Sequence, residues 1–210
     1  MTLRGDLYSA IREAILLLDY QPGQVLSLRT LAGLYGVSAT PIREVLIRLE
    51  AEGLVNIEPR NSARVTEVSL HDLAHVTEVR LVLADQVGRL AAQRITDEEI
   101  SSLETVLSKI EGETNRRTLV ALDSEFHRLV DEATKNPHLA RVSGLLRNQV
   151  VRLWYLFGND DSYWPTMRAG RRELLSALKR KAESECQENL RGHVAQFVEQ
   201  LRETVMGSVE

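Results

Sequence analysis

The 210-residue chain is predicted to be mainly α, with a small helix-turn-helix and hairpin domain over residues 1–68 and an all-helical bundle over 69–210. Three observations predict this. Residues 34–54 read L-Y-G-V-S-A-T-P-I-R-E-V-L-I-R-L-E-A-E-G-L, which is a helix end, a tight turn and a second helix. Two short extended runs follow at once, at 54–58 and 63–68. Beyond Val68 no strand pattern recurs, and apolar residues return with helical period to the end.

Leu3 to Asp19 is expected as a helix, with Leu7, Ala10, Ile11, Ala14, Ile15 and Leu18 on one face and Gln21-Pro22-Gly23 breaking it. Ser27 opens a second helix, Leu28 to Leu34. Arg29 lies near its N-terminus, where backbone N–H groups and a cation can both meet a phosphate. Gly36 and Val37 close that helix, Ser38 is placed to cap the next, and Pro41 falls in its first turn, where a missing N–H costs little. Ile42, Val45, Leu46 and Leu49 then repeat at i, i+3, i+4, i+7 as a buried stripe, leaving Ala39, Thr40 and Arg43 on the opposite face. A short helix, a tight turn and a second helix with small polar residues and arginine at its tip is the plan of a DNA-reading motif. An ordinary helical hairpin has the same spacing. On the first reading Thr40 and Arg43 read bases, while Arg29, Ser38 and Arg64 contact phosphate. Pro59-Arg60-Asn61-Ser62 joins the two extended runs as a hairpin wing, and Arg60 and Arg64 at its tip and base favour a phosphate contact over a plain surface hairpin.

In the second domain, Ser69 with Asp72 and Thr96 with Glu99 read as capping boxes, opening helices that run to about Arg94 and Gly112. Further helices are expected from about Arg117 to Thr134, Asn136-Pro137 to Phe157, Tyr163 to Arg180 and Glu183 to Val205. Asp123 and His127 stand at i and i+4 on one helix face. That spacing suits two ligands of one divalent metal, or simply a surface Asp–His hydrogen bond. The last two helices turn near Ala182, so positions 171 and 193, equally far from the turn, are neighbours if the helices are antiparallel. Trp154, Tyr155, Phe157 and Trp164 read as core or pocket wall, and His71, His75 and His138 as surface.

Bulk numbers narrow the function. No apolar run approaches the length of a membrane span, and the N-terminus lacks a secretion-signal pattern. The single cysteine, Cys186, fits a reducing cytoplasm and a plain helix position rather than a redox sensor. Residues 1–68 hold seven Arg, no Lys and eight acids, so a nucleic-acid footprint has to be local, built from Arg29, Arg43, Arg60 and Arg64, and helped by dimerisation.

Pro22-Gly23-Gln-Val-Leu, Leu31-Ala32, Gly36-Val-Ser, Pro41-Ile-Arg-Glu-Val-Leu and Arg48-Leu-Glu-Ala-Glu-Gly-Leu-Val resemble the N-terminal domain of GntR-family bacterial transcription regulators, over nearly all of residues 7–68. The resemblance implies a winged helix-turn-helix that binds a pseudo-palindromic operator as a homodimer. Residues from about 70 to 205 resemble the FCD ligand-binding domain of the FadR-like branch. This implies an all-helical domain that binds a small carboxylate effector and often holds zinc or nickel through one Asp and three His. Asp123, His127 and His193 match three of those ligands. Arg171 stands where the fourth, a His followed by Arg, belongs, and a guanidinium cannot ligate a cation. Two arrangements are therefore open: a three-ligand divalent metal site, or a metal-free site in which Arg171 and Arg80 bind the carboxylate and Asp123 orients a histidine. Arg80 matches a family arginine that meets the effector, for which a guanidinium fork is apt; a solvated helix arginine is the alternative. The family often has an arginine where this chain has Ala39. The reading is thus a cytoplasmic repressor with no membrane partner and no enzymatic activity. The alternative is a small metal-dependent enzyme built on Asp123, His127 and His193, for which no nucleophile or base motif is visible.

Overall fold

The computed structural model of the chain describes residues 3–207 except 60, 70, 72 and 158–162, with side chains for 7–200 apart from 154, 156 and 157. The chain divides into two compact units, residues 1–69 with 147–156, and residues 70–146 with 157–210.

The first unit runs α1 (Leu3–Leu16), β1 (Val25–Ser27), α2 (Leu28–Tyr35), α3 (Ala39–Ala51), β2 (Val55–Glu58) and β3 (Ser62–Val65). The strands form one antiparallel sheet in the order β1-β3-β2, with Ala63 of β3 opposite both Leu26 and Ile57. The central strand is the buried one: Ala63 and Val65 are fully covered, and Leu26 joins them from β1. Ile42, Val45, Leu46 and Leu49 of α3 face this sheet, α1 and α2 in one core. Each such side chain stabilises the fold by about 1.5–3 kcal/mol relative to exposure.

Two elements differ from expectation. Helix α1 ends at Leu16 rather than Asp19, because Leu18 turns into the left-handed region at φ 62 and the Tyr20 N–H closes back on the Ala14 carbonyl. Strand β1 was not expected: three residues with a single buried side chain cannot show alternation.

The turn of the helix-turn-helix follows the sequence closely. The Ser27 hydroxyl accepts the Thr30 N–H at the start of α2. Gly36 ends α2 at φ 64, a conformation that costs glycine little, and its N–H returns to the Ala32 carbonyl. Ser38 occupies the N-cap of α3 in extended conformation, but its hydroxyl makes no capping bond. The first turn of α3 therefore keeps N–H groups unclaimed by that side chain.

Residues 147–156 of α7 (Pro137–Phe157) complete the first unit. Arg12 donates Nη2–H to the Asn148 side-chain carbonyl at 3.1 Å. Arg152, fully buried, donates to the Thr66 hydroxyl at 2.7 Å and to the Thr66 carbonyl. Burial pushes its guanidinium pKa down to about 10 against the opposing pull of Glu67, so it remains a cation at neutral pH.

Among its described residues the second unit's elements are all helices: α4 (Leu73–Arg94), α5 (Asp97–Gly112), α6 (Arg116–Ala133), the start of α7, α8 (Tyr163–Lys179) and α9 (Glu183–Gly207). The capping box at Thr96 forms with both arms, Glu99 N–H to the Thr96 hydroxyl and Thr96 N–H to the Glu99 carboxylate. The other expected box involves Asp72, which lies outside the described residues. Asn115 and Asn136 cap α6 and α7 through their side-chain oxygens. Among the described residues no helix is long and apolar enough to cross a membrane.

Helices α4 and α9 pack together at a glycine. A Cβ on Gly88 would stand 2.7 Å from the Gln187 nitrogen and 2.8 Å from the Cys186 carbonyl carbon, both backbone atoms of α9. Cys186 is sealed on the α9 side of this contact, fully buried. Burial raises its thiol pKa to about 11, well away from the thiolate that reacts. In native protein at pH 8, Cys186 should resist a disulfide reagent such as DTNB and react fully only in denaturant. Labelling within the mixing time would show an accessible thiol instead.

Candidate functional site

Two groups of side chains stand out, one in each unit. The first lies around the N-terminus of α3. Ser38, Ala39, Thr40 and Arg43 are exposed there, and Arg29 is exposed in the first turn of α2. Arg43 Nη2 donates to the Asn61 side-chain oxygen at 2.6 Å, so the α3 arginine is held by the wing. Asn61 itself turns the hairpin at φ 61. Arg64 is less free than its sequence position suggests. Its Nε pairs with Glu58 at 2.7 Å and its Nη1 donates to the Gly23 carbonyl at 2.9 Å, so part of its charge is already neutralised. Arg60 lies outside the described residues. At the far end of α3, Arg48 stacks its guanidinium 3.9 Å over the Tyr8 ring. Tyr8 in turn donates to Glu52, which also pairs with Arg12 at 2.9 Å. Glu52 is thus engaged at the C-terminal end of α3, away from Thr40 and Arg43 in its first turns.

The second group is a cluster from three helices, with Arg171 and His127 buried and Asp123 and His193 partly so. Asp123 and His127 come from α6, Arg171 from α8 and His193 from α9. One ligand atom from each of Asp123, His127 and His193 lies within 4.8 Å of the others. Arg171 is in the middle of them. Its Nε donates to Asp123 Oδ1 at 2.7 Å, and its Nη2 approaches His127 Nε2 at 2.8 Å and His193 Nε2 at 3.1 Å. The two Nε2 atoms are 3.2 Å apart. With Nη2 donating to both, each Nε2 is an acceptor and each ring is assigned its proton on Nδ1. Asp123 Oδ2 is 3.9 Å from His127 Nε2. Arg171 and His193 thus face each other across the α8–α9 hairpin.

The local sequence explains why an arginine is buried here. The inward stripe of α8 reads Tyr163, Trp164, Met167, Arg171, Leu174, Leu175 and Leu178, so position 171 points into the core whatever residue it carries. Arg171 has no exposed surface. Burial opposes its charge, but Asp123, first through its charge and also through its hydrogen bond, together with Tyr163, raises its pKa overall. It is a fixed cation. Phe126 lies beneath it, with the ring centroid 5.7 Å from the guanidinium carbon. Its Nη1 is buried and has no hydrogen-bond partner among the described residues.

Sequence reasoning missed Tyr163 and Phe126. Tyr163 is buried edge-on to Trp164 and Phe197 at 5.4 and 6.0 Å. Burial pushes its hydroxyl pKa up, Asp123 pushes it further, and Arg171 and Arg80 pull against them. That hydroxyl is therefore within electrostatic reach of Asp123, Arg171 and Arg80 together, and half-buried Arg80 belongs to the same neighbourhood. The signal available in the sequence was helical spacing, since 163, 167, 171 and 174 share one face of α8.

An open groove of about 690 Å³ lies between α8 and α9, lined in part by Met167, Gly170, Glu173, Glu188, Asn189 and His193. It reaches the cluster only at His193, and its glutamates make it unfavourable for an anion.

Comparison with known proteins fits both units. Residues 3–65 match the family "Bacterial regulatory proteins, gntR family", and residues 75–196 match the FCD domain. The chain is 28% identical over 195 residues to the Nta operon transcriptional regulator of Aminobacter aminovorans, covering 90% of each. It is 24% identical over 201 residues to the HTH-type transcriptional repressor RspR of Escherichia coli, covering 94% of this chain and 88% of that one. Among solved structures, E. coli McbR/YncC superposes with a TM-score of 0.78 over 97% of this chain and 98% of that one, at 20% identity. With its gntR-type winged helix and an FCD domain over more than half its length, the chain belongs to the FadR-like branch of the GntR family of DNA-binding transcriptional regulators.

Proposed function

We propose that the protein is a repressor that binds a pseudo-palindromic operator as a homodimer and is released by a small organic acid in its helical domain. The observation that carries this reading is the pairing of an exposed Thr40–Arg43 edge on α3 with a fully buried arginine, Arg171, in a separate unit, one of whose nitrogens has no hydrogen-bond partner among the described residues. The first is suited to a major groove and the second to an anion. Repression is favoured by relatives such as RspR, a repressor by its own name. Dimerisation is favoured by the small, nearly neutral reading head, since two linked copies gain affinity through effective concentration. Val79 and Val82, exposed on α4, offer apolar surface for such a contact. In this reading Thr40 and Arg43 meet bases, Arg29, Ser38 and Arg60 meet phosphate, and Arg64 does so only by giving up Glu58. The domain boundary of function falls near residues 68–69.

Arg43 is the sharpest test. On DNA it would exchange the Asn61 oxygen for a guanine edge. Arg43→Ala is expected to weaken operator binding by about 1–3 kcal/mol and to relax preference at one base pair in each half-site. Arg64→Ala should weaken all sequences nearly equally. Unchanged affinity and unchanged preference in Arg43→Ala, measured by titration of operator variants at fixed salt, would remove Arg43 from the reading edge. The alternative, a metal-dependent enzyme on Asp123, His127 and His193, has less support, because the three side chains it would use are already held by Arg171.

A further inference from the structure

The three ligand-type atoms of the helical unit converge as they would on a divalent ion, and a metal is what this donor set implies. The space between them is not open to one. Nη2 of Arg171 sits within 3.1 Å of both imidazole nitrogens, and Nε holds the carboxylate. A divalent ion at bonding distance of about 2.0–2.2 Å from the same atoms would overlap Nη2 and face a fixed positive charge. The residues present therefore do not fit a resident metal.

We propose that Arg171 is the resident cation of this site: its guanidinium replaces the metal ion, keeps divalent metals out, and turns its one uncommitted nitrogen to the effector. The inference rests on the effector-site reading above and adds a ligand class to it. Arginine has five N–H donors. Nε–H is spent on Asp123 and the two Nη2 protons on His127 and His193, which leaves the two on Nη1, a buried atom without a hydrogen-bond partner among the described residues. Those two protons diverge from a single nitrogen. Each can serve one acceptor oxygen, but because they diverge they cannot offer the two convergent positions that a metal offers to a chelating hydroxy acid or dicarboxylate.

Charge points the same way. A dication with Asp123 would leave the cluster at a net charge of about +1, whereas Arg171 with Asp123 is near neutral. The site then selects by a directed hydrogen bond, with Arg80 a further positive charge near Tyr163, and suits a monocarboxylate better than a polyanion.

The test uses the full-length protein after dialysis against chelator. Cobalt(II) and zinc titrations, read by visible absorption and calorimetry, should show no stoichiometric uptake by the parent chain that Asp123→Ala or His127→Ala abolishes. The control is needed because His71 and His75 lie near one another on the surface and can bind weakly. Thermal stability should likewise be indifferent to EDTA. Arg171→His and Arg171→Ala should gain one cobalt with the absorption of a nitrogen–oxygen site, on the order of 100-fold tighter than the parent or more. One tightly bound ion in the parent, lost in Asp123→Ala, overturns the proposal. So does a folded Arg171→Ala that takes up no more metal than the parent. If that variant does not fold, the parent titration decides alone. Should the metal results come out as expected while neither acetate, benzoate nor citrate alters operator binding, it is the effector reading that fails, and Arg171 keeps its assignment.

Discussion

Replacing Arg171 by methionine is expected to destabilise the helical unit by about 3–5 kcal/mol, the range for removing one partner of a buried ion pair. Three groups lose this one partner at once: the Asp123 carboxylate and the Nε2 atoms of His127 and His193. Asp123 retains 16% of its side-chain exposure, so water relieves part of the loss and the lower half of the range is favoured. The companion change distinguishes charge from packing. Asp123→Asn placed on Arg171→Met should recover much of the stability, because it removes the carboxylate left behind. Denaturant unfolding of the four proteins, following the transition of the helical unit, gives the coupling energy. A coupling under about 1 kcal/mol would mean that Arg171 is merely accommodated by α6, α8 and α9 and does not join them.

Gly88→Leu is expected to be at least as damaging, about 3 kcal/mol or more, by overpacking. Its β-carbon alone would meet the backbone of Gln187 and Cys186 below 3 Å, and backbone atoms in a helix cannot swing aside as a side chain can. Alanine makes the finer test. Glycine to alanine in a helix interior favours the helix by about 1 kcal/mol, whereas the steric term between α4 and α9 runs the other way. Net destabilisation of Gly88→Ala in thermal unfolding is the expected sign. A stability gain would show that the two helices separate by a few tenths of an ångström without loss.

The fold was largely legible because its signals are local. The stripe on α3, the glycine at position 36 and the box at Thr96 each act within a few residues, and each gave the element found there. Strand β1 was not legible: its three residues owe their conformation to β3, a partner nearly 40 positions away. The same holds for residues 147–156 of α7, which group with the first unit through Arg152 and Thr66. Nothing in a continuous helical pattern marks where its contacts change. At the buried cluster, helix spacing put Asp123 beside His127, and the hairpin turn put 171 beside 193. What spacing could not supply was the direction of the guanidinium. Whether Arg171 would stand aside from the histidines or lie between them depends on Phe126 beneath it and on the carboxylate that draws Nε, neither of which is a neighbour in sequence.

A metal ion's presence in a site is a matter of mass action, set by affinity and by whatever free metal the cell allows. A guanidinium carried on α8 is there in every molecule from the moment the chain folds, one per site, and no chelator or competing protein can withdraw it. A regulator built this way responds to its signal alike in metal-starved and metal-replete cells. On the proposal above, Arg171→His alone would tie that response to the metal supply.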